Sequence, residues 1–203
     1  MPRGIFVVFE GIDASGKSTQ ARRAAERYDA DCTFEPGATD LGAELRQWLL
    51  NAERSMSPAS EALLMLADRS HHVHDLIEPA LGRGRSIISD RFYASTLAYQ
   101  GYGRGLDVAL LRTCSELAIG ACRPDLTILI DVPATLANER RARDQNDRFE
   151  AADGDFHERV RQGYLNLASE EPARWVIIDG SLDEDQVTDA IDRHLVGLAW
   201  PSA

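Results

Sequence analysis

A lysine and a serine, Lys17-Ser18, stand just before the end of the stretch FVVFEGIDASGKST (Phe6 to Thr19), and Gly11 and Gly16 before them complete the spacing G-x-x-x-x-G-K-[ST]. The chemistry this combination suits is the holding of a polyphosphate. Two glycines let the backbone curl until several N–H groups converge on one point, and a helix beginning near Lys17 adds the positive end of its dipole. The lysine ammonium would reach β- and γ-phosphates, and the Ser18 hydroxyl would ligate Mg2+. Gly11, Ile12, Asp13, Ala14, Ser15, Gly16, Lys17, Ser18 and Thr19 form the candidate nucleotide-binding segment. Asp13 is unexpected there, because a carboxylate repels the anion it borders; a sugar hydroxyl or a metal-bound water explains it better than stability does. A second carboxylate, Asp90, ends the apolar run RSIISD (Arg85 to Asp90), the arrangement in which a sheet holds an aspartate near Mg2+; the alternative is a simple strand-end cap.

These residues need elements to position them. An apolar run (Ile5 to Phe9) ending at Glu10 precedes the loop, and Ala21, Ala24, Ala25 and Tyr28 then recur at helical spacing. Cys32 to Phe34 reads as a short strand before the turn Glu35-Pro36-Gly37, and Leu41, Leu45, Trp48 and Leu49 mark a second helix. Ser57-Pro58 opens a long helix that Gly82 closes, with Pro79 expected to kink its last turn. Further helices are predicted from about Ala94, over about 106–119, after Pro133, through Phe156, Val160, Tyr164 and Leu167, and through Val187, Ile191, Leu195 and Leu198. Leu126 to Val132 and Trp175 to Ile178 complete five strands. Strands alternating with helices give a parallel sheet covered on both faces, a three-layer α/β fold of the phosphate-loop NTPase type. Ligands in such sheets lie at the carboxyl ends of the strands, which gathers the 11–18 loop, Glu35, Asp90-Arg91 and the 179–181 turn around one crevice. The charged stretch RDQNDRFEAADGD (143–155) lacks an apolar period and reads as a mobile loop.

The 203 residues suit one domain, and 44% hydrophobic content is that of a globular chain. A net charge of −11 argues against a nucleic-acid polymer as partner, whereas a small nucleotide needs only backbone amides and a few arginines. Cys32, Cys114 and Cys122 lack disulfide or zinc spacing and read as small buried residues. No apolar run approaches a membrane span and no signal-peptide pattern is present, so the expectation is a cytoplasmic protein with no membrane partner. His71, His72 and His74 read as a helix surface rather than a metal site. GYGRG at 101–105 follows a helix rather than a strand and reads as a turn, and the acidic run Asp183 to Asp185 suits a helix start.

FEGIDASGKSTQ, EPGATDLG, LADR, DRFYASTLAYQGYGRGL, RPDLTILIDV and DRFE together resemble the thymidylate kinases, across nearly the whole chain. The second and fourth are the specific ones, since a phosphate loop alone is shared by many families. The resemblance implies ATP as phosphoryl donor, dTMP as acceptor, Mg2+ and a homodimer, with the helices at 58–82 and 94–119 as candidate faces. It places Asp13 near the acceptor sugar and the metal, with Glu35 on the acceptor side. Arg69 and Arg91 would clamp the acceptor phosphate, while Thr96, Tyr99 and Gln100 would face base and deoxyribose. Phe149 and Glu150 would cover the acceptor from a lid around 140–155. The family often carries an arginine inside the phosphate loop, where this chain has Ala14 and Ser15; its other arrangement supplies one from the lid, here Arg143 or Arg148 among Arg140, Arg141, Arg143 and Arg148. Met65 stands where the family usually has a base-stacking phenylalanine, and Phe34 where many bacterial members have arginine. Other readings are a kinase for another (deoxy)nucleoside monophosphate or a deoxynucleoside, and a phosphate-loop regulatory protein with little turnover.

Overall fold

A computed structural model describes residues 2–51, 53–141 and 154–200. At its centre lies β1 (Phe6–Glu10), all five residues buried, as a strand with neighbours on both sides and helices on both faces requires. β1 pairs in parallel with β3 (Ile87–Asp90) and with β4 (Leu126–Asp131). β2 (Asp31–Phe34) flanks β3 and β5 (Trp175–Asp179) flanks β4, giving the order β2-β3-β1-β4-β5. The five parallel strands are those expected. Register matters for function: Phe9 and Phe34 both align with Asp90, so β1, β2 and β3 end level. The chain builds β2 and β3 on one side of β1 before crossing to the other, and such a reversal opens a crevice at the carboxyl ends.

α1 (Lys17–Arg27) and α9 (Glu184–Leu195) pack together, joined by Gln20 Nε2 donating to the Glu184 carbonyl at 2.9 Å. α9 begins with a capping box in which Asp183 and Gln186 satisfy each other's backbone N–H, the role expected of that acidic run. α8 (Gly154–Glu170) buries Phe156, Val160, Tyr164 and Leu167, the expected stripe. α6 (Val108–Ile119) and α7 (Ala134–Arg141) complete the helices after β3 and β4.

Several helical details differ from the sequence reading. α2 (Asp40–Leu50) buries Leu49 and Gly42, whereas Trp48 is 54% exposed and carries the Arg54 guanidinium over its ring. Only a narrow face of α2 rests on α3 (Pro58–His72), so the Leu41 and Trp48 half of the apolar stripe stays largely exposed. Ser57 caps α3 as expected, accepting from Ser60 N at 3.1 Å. The irregularity attributed to Pro79 falls earlier, in a π-helical turn at Val73–Ile77 that leads into α4 (Glu78–Gly82). Proline cannot bond the carbonyl four residues back and its ring crowds it. That carbonyl belongs to Asp75, inside the widened turn that accommodates it.

Likewise α5 (Tyr93–Thr96) runs directly into a π segment, Leu97–Gly103, so Gly101 and Gly103 lie in a helix and not in the expected turn. Their role is close packing: a Cβ on Gly103 would sit 2.6 Å from the Phe156 ring of α8. Of the cysteines only Cys122 is buried; Cys32 is exposed and Cys114 intermediate.

Candidate active site

The loop after β1 has the curl its glycines suggest. Gly11 has φ 149°, and a Cβ there would meet the Ile130 carbonyl at 2.6 Å. Gly16 has φ 91° and caps α1, and even Ala14 is left-handed at φ 61°. A non-glycine residue there costs on the order of 1–2 kcal/mol, which a site requiring converging amides can justify. Lys17 is buried, its Nζ 3.3 Å from the Ile12 carbonyl and 3.9 Å from Asp13 Oδ1. Burial, reinforced by the Arg91 charge, lowers the Lys17 pKa, only partly offset by Asp90, Asp13 and Glu10. At the end of β3, Asp90 Oδ1 is buried with no hydrogen-bond partner among the described residues.

Asp13 is held by two partners from the 90s segment. Arg91, itself left-handed at φ 74°, ion-pairs with it, and the Tyr99 hydroxyl donates to Oδ2 at 2.7 Å. Burial pushes the Asp13 carboxyl up, but Arg91, Lys17 and Tyr99 outweigh it and hold it well below the usual carboxylate range. Arg91 also donates to Gly11 O, Ser95 Oγ and Tyr164 Oη at 3.1, 3.1 and 3.2 Å. Beneath it lies Glu10, fully buried, accepting from Phe92 N, Ser95 N, Ser95 Oγ and Tyr164 Oη. Burial raises the Glu10 pKa against the opposing pull of Arg91. The sequence singles out neither Glu10 nor Ser95 for this work, and Tyr164 only as core; the apolar run ending in a carboxylate was the available signal.

On the far side Arg69 is 1% exposed and donates from Nε to Glu35 at 2.8 Å, from Nη1 to Thr96 Oγ1 at 2.7 Å and from Nη2 to Phe92 O at 3.0 Å. The other Glu35 oxygen lies 2.9 Å from His72 Nδ1, and His72 Nε2 is 2.7 Å from Thr33 Oγ1. His72 is thus a buried support of the pocket and not, as its spacing suggested, part of a helix surface; His74 is exposed as expected. Asp68 donates nothing but accepts from Gly37 N at 3.0 Å, and burial together with the Glu35 charge raises its pKa to about 6. Its ionisation therefore opposes folding: the penalty is absent below 3.8, grows as pH rises and is complete above about 6. Asp68→Asn, which keeps the acceptor oxygen without the charge, should gain about 1–3 kcal/mol of stability relative to the parent between about pH 4 and pH 7, as read from urea unfolding at each pH. A gain independent of pH would show that Asp68 titrates normally.

One cavity of about 640 Å³ joins the two sides, lined by Lys17, Ser18 and Asp90 at one end and by Met65, Thr96 and Gln100 at the other, with Asp13, Arg91 and Tyr99 between. Glu35 and Arg69 also line it. Sequence reasoning missed Arg46, which lines this cavity, donates to Pro36 O at 2.6 Å and stacks 5.5 Å from the Phe34 ring centroid, so a guanidinium stands over Phe34 although that position itself carries none. Arg140 donates to Gly180 O at 3.0 Å and to Ala14 O at 3.5 Å, tying the start of the lid stretch to the loop and to the 179–181 turn. Arg143, Arg148, Phe149 and Glu150 lie outside the described residues. Among the described residues no group of three His, Cys, Asp or Glu is placed to hold a metal ion, and no helix is long and apolar enough to cross a membrane.

A phosphate loop leading into α1, a carboxylate at the end of the adjacent strand and a second pocket sharing the same cavity define an ATP-dependent kinase of the nucleoside monophosphate class, on a P-loop α/β fold. Within that class the thymidylate kinase family model matches residues 9–191, and the chain belongs to that family. It is 42% identical to the thymidylate kinase of Kosmotoga olearia over 95% of each chain, and 45% identical to that of Cupriavidus metallidurans over 97% of this chain and all of the other. The crystal structure of thymidylate kinase from Ehrlichia chaffeensis superposes with a TM-score of 0.77 at 34% identity, covering 96% of this chain and 99% of that one.

Proposed function

We infer that this single-domain protein transfers the γ-phosphoryl group of ATP to dTMP, giving dTDP and ADP, in the cytoplasm. The observation that carries this is the shared cavity: a polyphosphate seated on the loop at Lys17 and a nucleoside monophosphate lying against Met65, Thr96 and Gln100 bring their phosphates together beside Arg91. Such chemistry asks the protein for little covalent work; it positions two phosphates in line and neutralises charge. Arg91 spends both terminal nitrogens on protein groups, so an acceptor phosphate competes with Asp13 for it, and the Asp13 oxygen released from that pair is free to take a sugar hydroxyl. Arg69, its fork already occupied by Glu35, Thr96 and Phe92, supports the acceptor pocket as much as it clamps a phosphate. Mg2+ fits the residues present: Asp90 Oδ1, without a hydrogen-bond partner among the described residues, and the Ser18 hydroxyl line the same cavity and would hold it. When bound, the ion neutralises charge on the transferring phosphates. Initial rates of ATP-dependent phosphorylation across thymidine, deoxyuridine, uridine, cytidine and adenosine monophosphates test the assignment; a clear preference for an acceptor other than dTMP would overturn it.

Met65 should lie over the base. Sulfur–aromatic contacts contribute about 0.3–1.5 kcal/mol and ring–ring pairs about 0.5–1.5 kcal/mol, so Met65→Phe should move the KM for dTMP by less than about tenfold. Met65→Ala should raise it clearly, with the KM for ATP unmoved in both. An unchanged dTMP KM in the alanine variant would make Met65 an ordinary helix residue.

The lid supplies the catalytic arginine in this reading, since Ala14 and Ser15 leave none in the loop. Arg143→Ala or Arg148→Ala should then lower kcat far more than it raises the KM for ATP, the mark of an interaction made mainly in the transition state. If both variants altered only KM, the lid would be a binding clamp.

The protein works as a homodimer in this reading. α3 and α6 pack side by side and leave Leu63, Leu110 and Leu117 outward, 64%, 62% and 87% exposed, which supports a second copy of the chain covering them. A monomer mass in sedimentation at micromolar concentration would refute it.

A further inference from the structure

Two side chains at the base end of the cavity have hydrogen-bonding polarities imposed from behind. Gln100, 1% exposed, turns Nε2 to Glu61 Oε1 at 3.0 Å. Glu61 is fully buried and paired with Arg104, whose Nε and Nη2 lie 3.3 Å from its two oxygens. A carboxylate only accepts, so the Gln100 amide cannot be turned the other way without facing oxygen to oxygen. Its Oε1, which has no protein donor among the described residues, is left to the cavity as an acceptor. One turn earlier Thr96 Oγ1 receives Arg69 Nη1 at 2.7 Å, and Arg69 is fixed by Glu35. The Thr96 hydroxyl proton has no acceptor among the described residues, so Thr96 faces the cavity as a donor.

We propose that Glu61, which touches no substrate, is a positioning residue that sets base selectivity by locking the Gln100 amide with its oxygen towards the base. The proposal rests on dTMP as acceptor. A thymine attached to its sugar has a single N–H, at N3, flanked by carbonyl oxygens. Gln100 Oε1 takes that hydrogen and Thr96 donates to an adjacent carbonyl. Cytosine in the same pose turns the N3 lone pair onto Oε1, leaving an acceptor against an acceptor, and a desolvated mismatch of this kind is a strong repulsive element. Uracil shares the imide edge and is not distinguished by this device.

Glu61→Gln removes the lock, because its amide can offer N–H to Gln100 Oε1 and let the Gln100 amide turn its nitrogen to the base. The ratio of kcat/KM for dTMP over dCMP should fall at least tenfold, with the KM for ATP unchanged. A purely structural role for Glu61 would depress both substrates together and leave the ratio as it was, which would overturn the proposal. Should the variant not fold, the unaltered protein answers the same question. The N3 imino proton of bound dTMP should be visible by NMR and protected from solvent exchange, and exchange as fast as in free dTMP would overturn the assignment. If the unaltered protein failed to phosphorylate dTMP at all, the function inferred above would fall, and an intact ratio with normal dTMP turnover would sink this inference alone.

Discussion

Lys17→Ala should lower kcat by roughly a hundredfold or more, by comparison with the loss of other preorganised charge donors, while the folded protein melts no earlier than the parent. Both halves follow from the environment of the side chain. Lys17 points along the loop to the Ile12 carbonyl with its ammonium almost out of water, and it lies near Asp13 without a close ion pair. Burial and the Arg91 charge already push its pKa down, so the fold gains little from holding the cation there. In the proposed reaction its use lies in the phosphates that the curled backbone would deliver to it. A coupled ADP-release assay and a thermal melt on the same preparation separate the two. Near-normal turnover would refute the phosphate-loop mechanism, and a collapse of the melting temperature would make Lys17 a structural residue.

Arg91→Ala should be costly on both counts. The guanidinium bridges the carboxyl ends of β1 and β3 and the helix α8 through Gly11, Asp13, Ser95, Tyr99 and Tyr164. Its removal leaves the Asp13 carboxylate, 17% exposed, beside a Glu10 that is wholly buried. Stranding one partner of a buried ion pair typically costs about 3–5 kcal/mol. Activity should fall by more than about a hundredfold, because in the proposed reaction the same group meets the acceptor phosphate. Arg91→Lys should recover part of the stability but little activity, since one ammonium cannot serve a fork's worth of acceptors. Urea midpoints together with kcat/KM for dTMP are the measurements. An alanine variant as stable as the parent would mean that Asp13 and Glu10 find other partners.

The parts of the site legible in the sequence are those whose chemistry is local. The glycine spacing of the loop, Asp90 at the end of an apolar strand and the cluster Thr96-Tyr99-Gln100 all stand close in the chain, and the structure sets them on one cavity. The groups behind them are legible only in three dimensions. Glu10 reaches Tyr164 across 154 positions and His72 reaches Glu35 across 37, so neither spacing nor composition announces the pair. His72 illustrates the cost: beside His71 and His74 it looks like part of a solvated face, yet it is the one turned inward. The helix boundaries fared similarly. Apolar period locates α3 and α8 but is insensitive to a change from α to π, which left both π turns unread.

The π segment after Thr96 amounts to a helix holding one residue more than its rungs require. Deleting a single residue there, such as Ala98, would let the chain continue as an ordinary helix with every backbone bond made. The same deletion would leave the chain beyond the segment where it is, because the widened turn is what absorbs the extra residue, and would shift only the residues inside it, Tyr99 and Gln100 among them, by about 100° around the axis. The end of the cavity proposed to take the base is therefore written partly in chain length. A relative that matched this segment letter for letter but lacked one position would keep the inventory of polar groups and lose their aim.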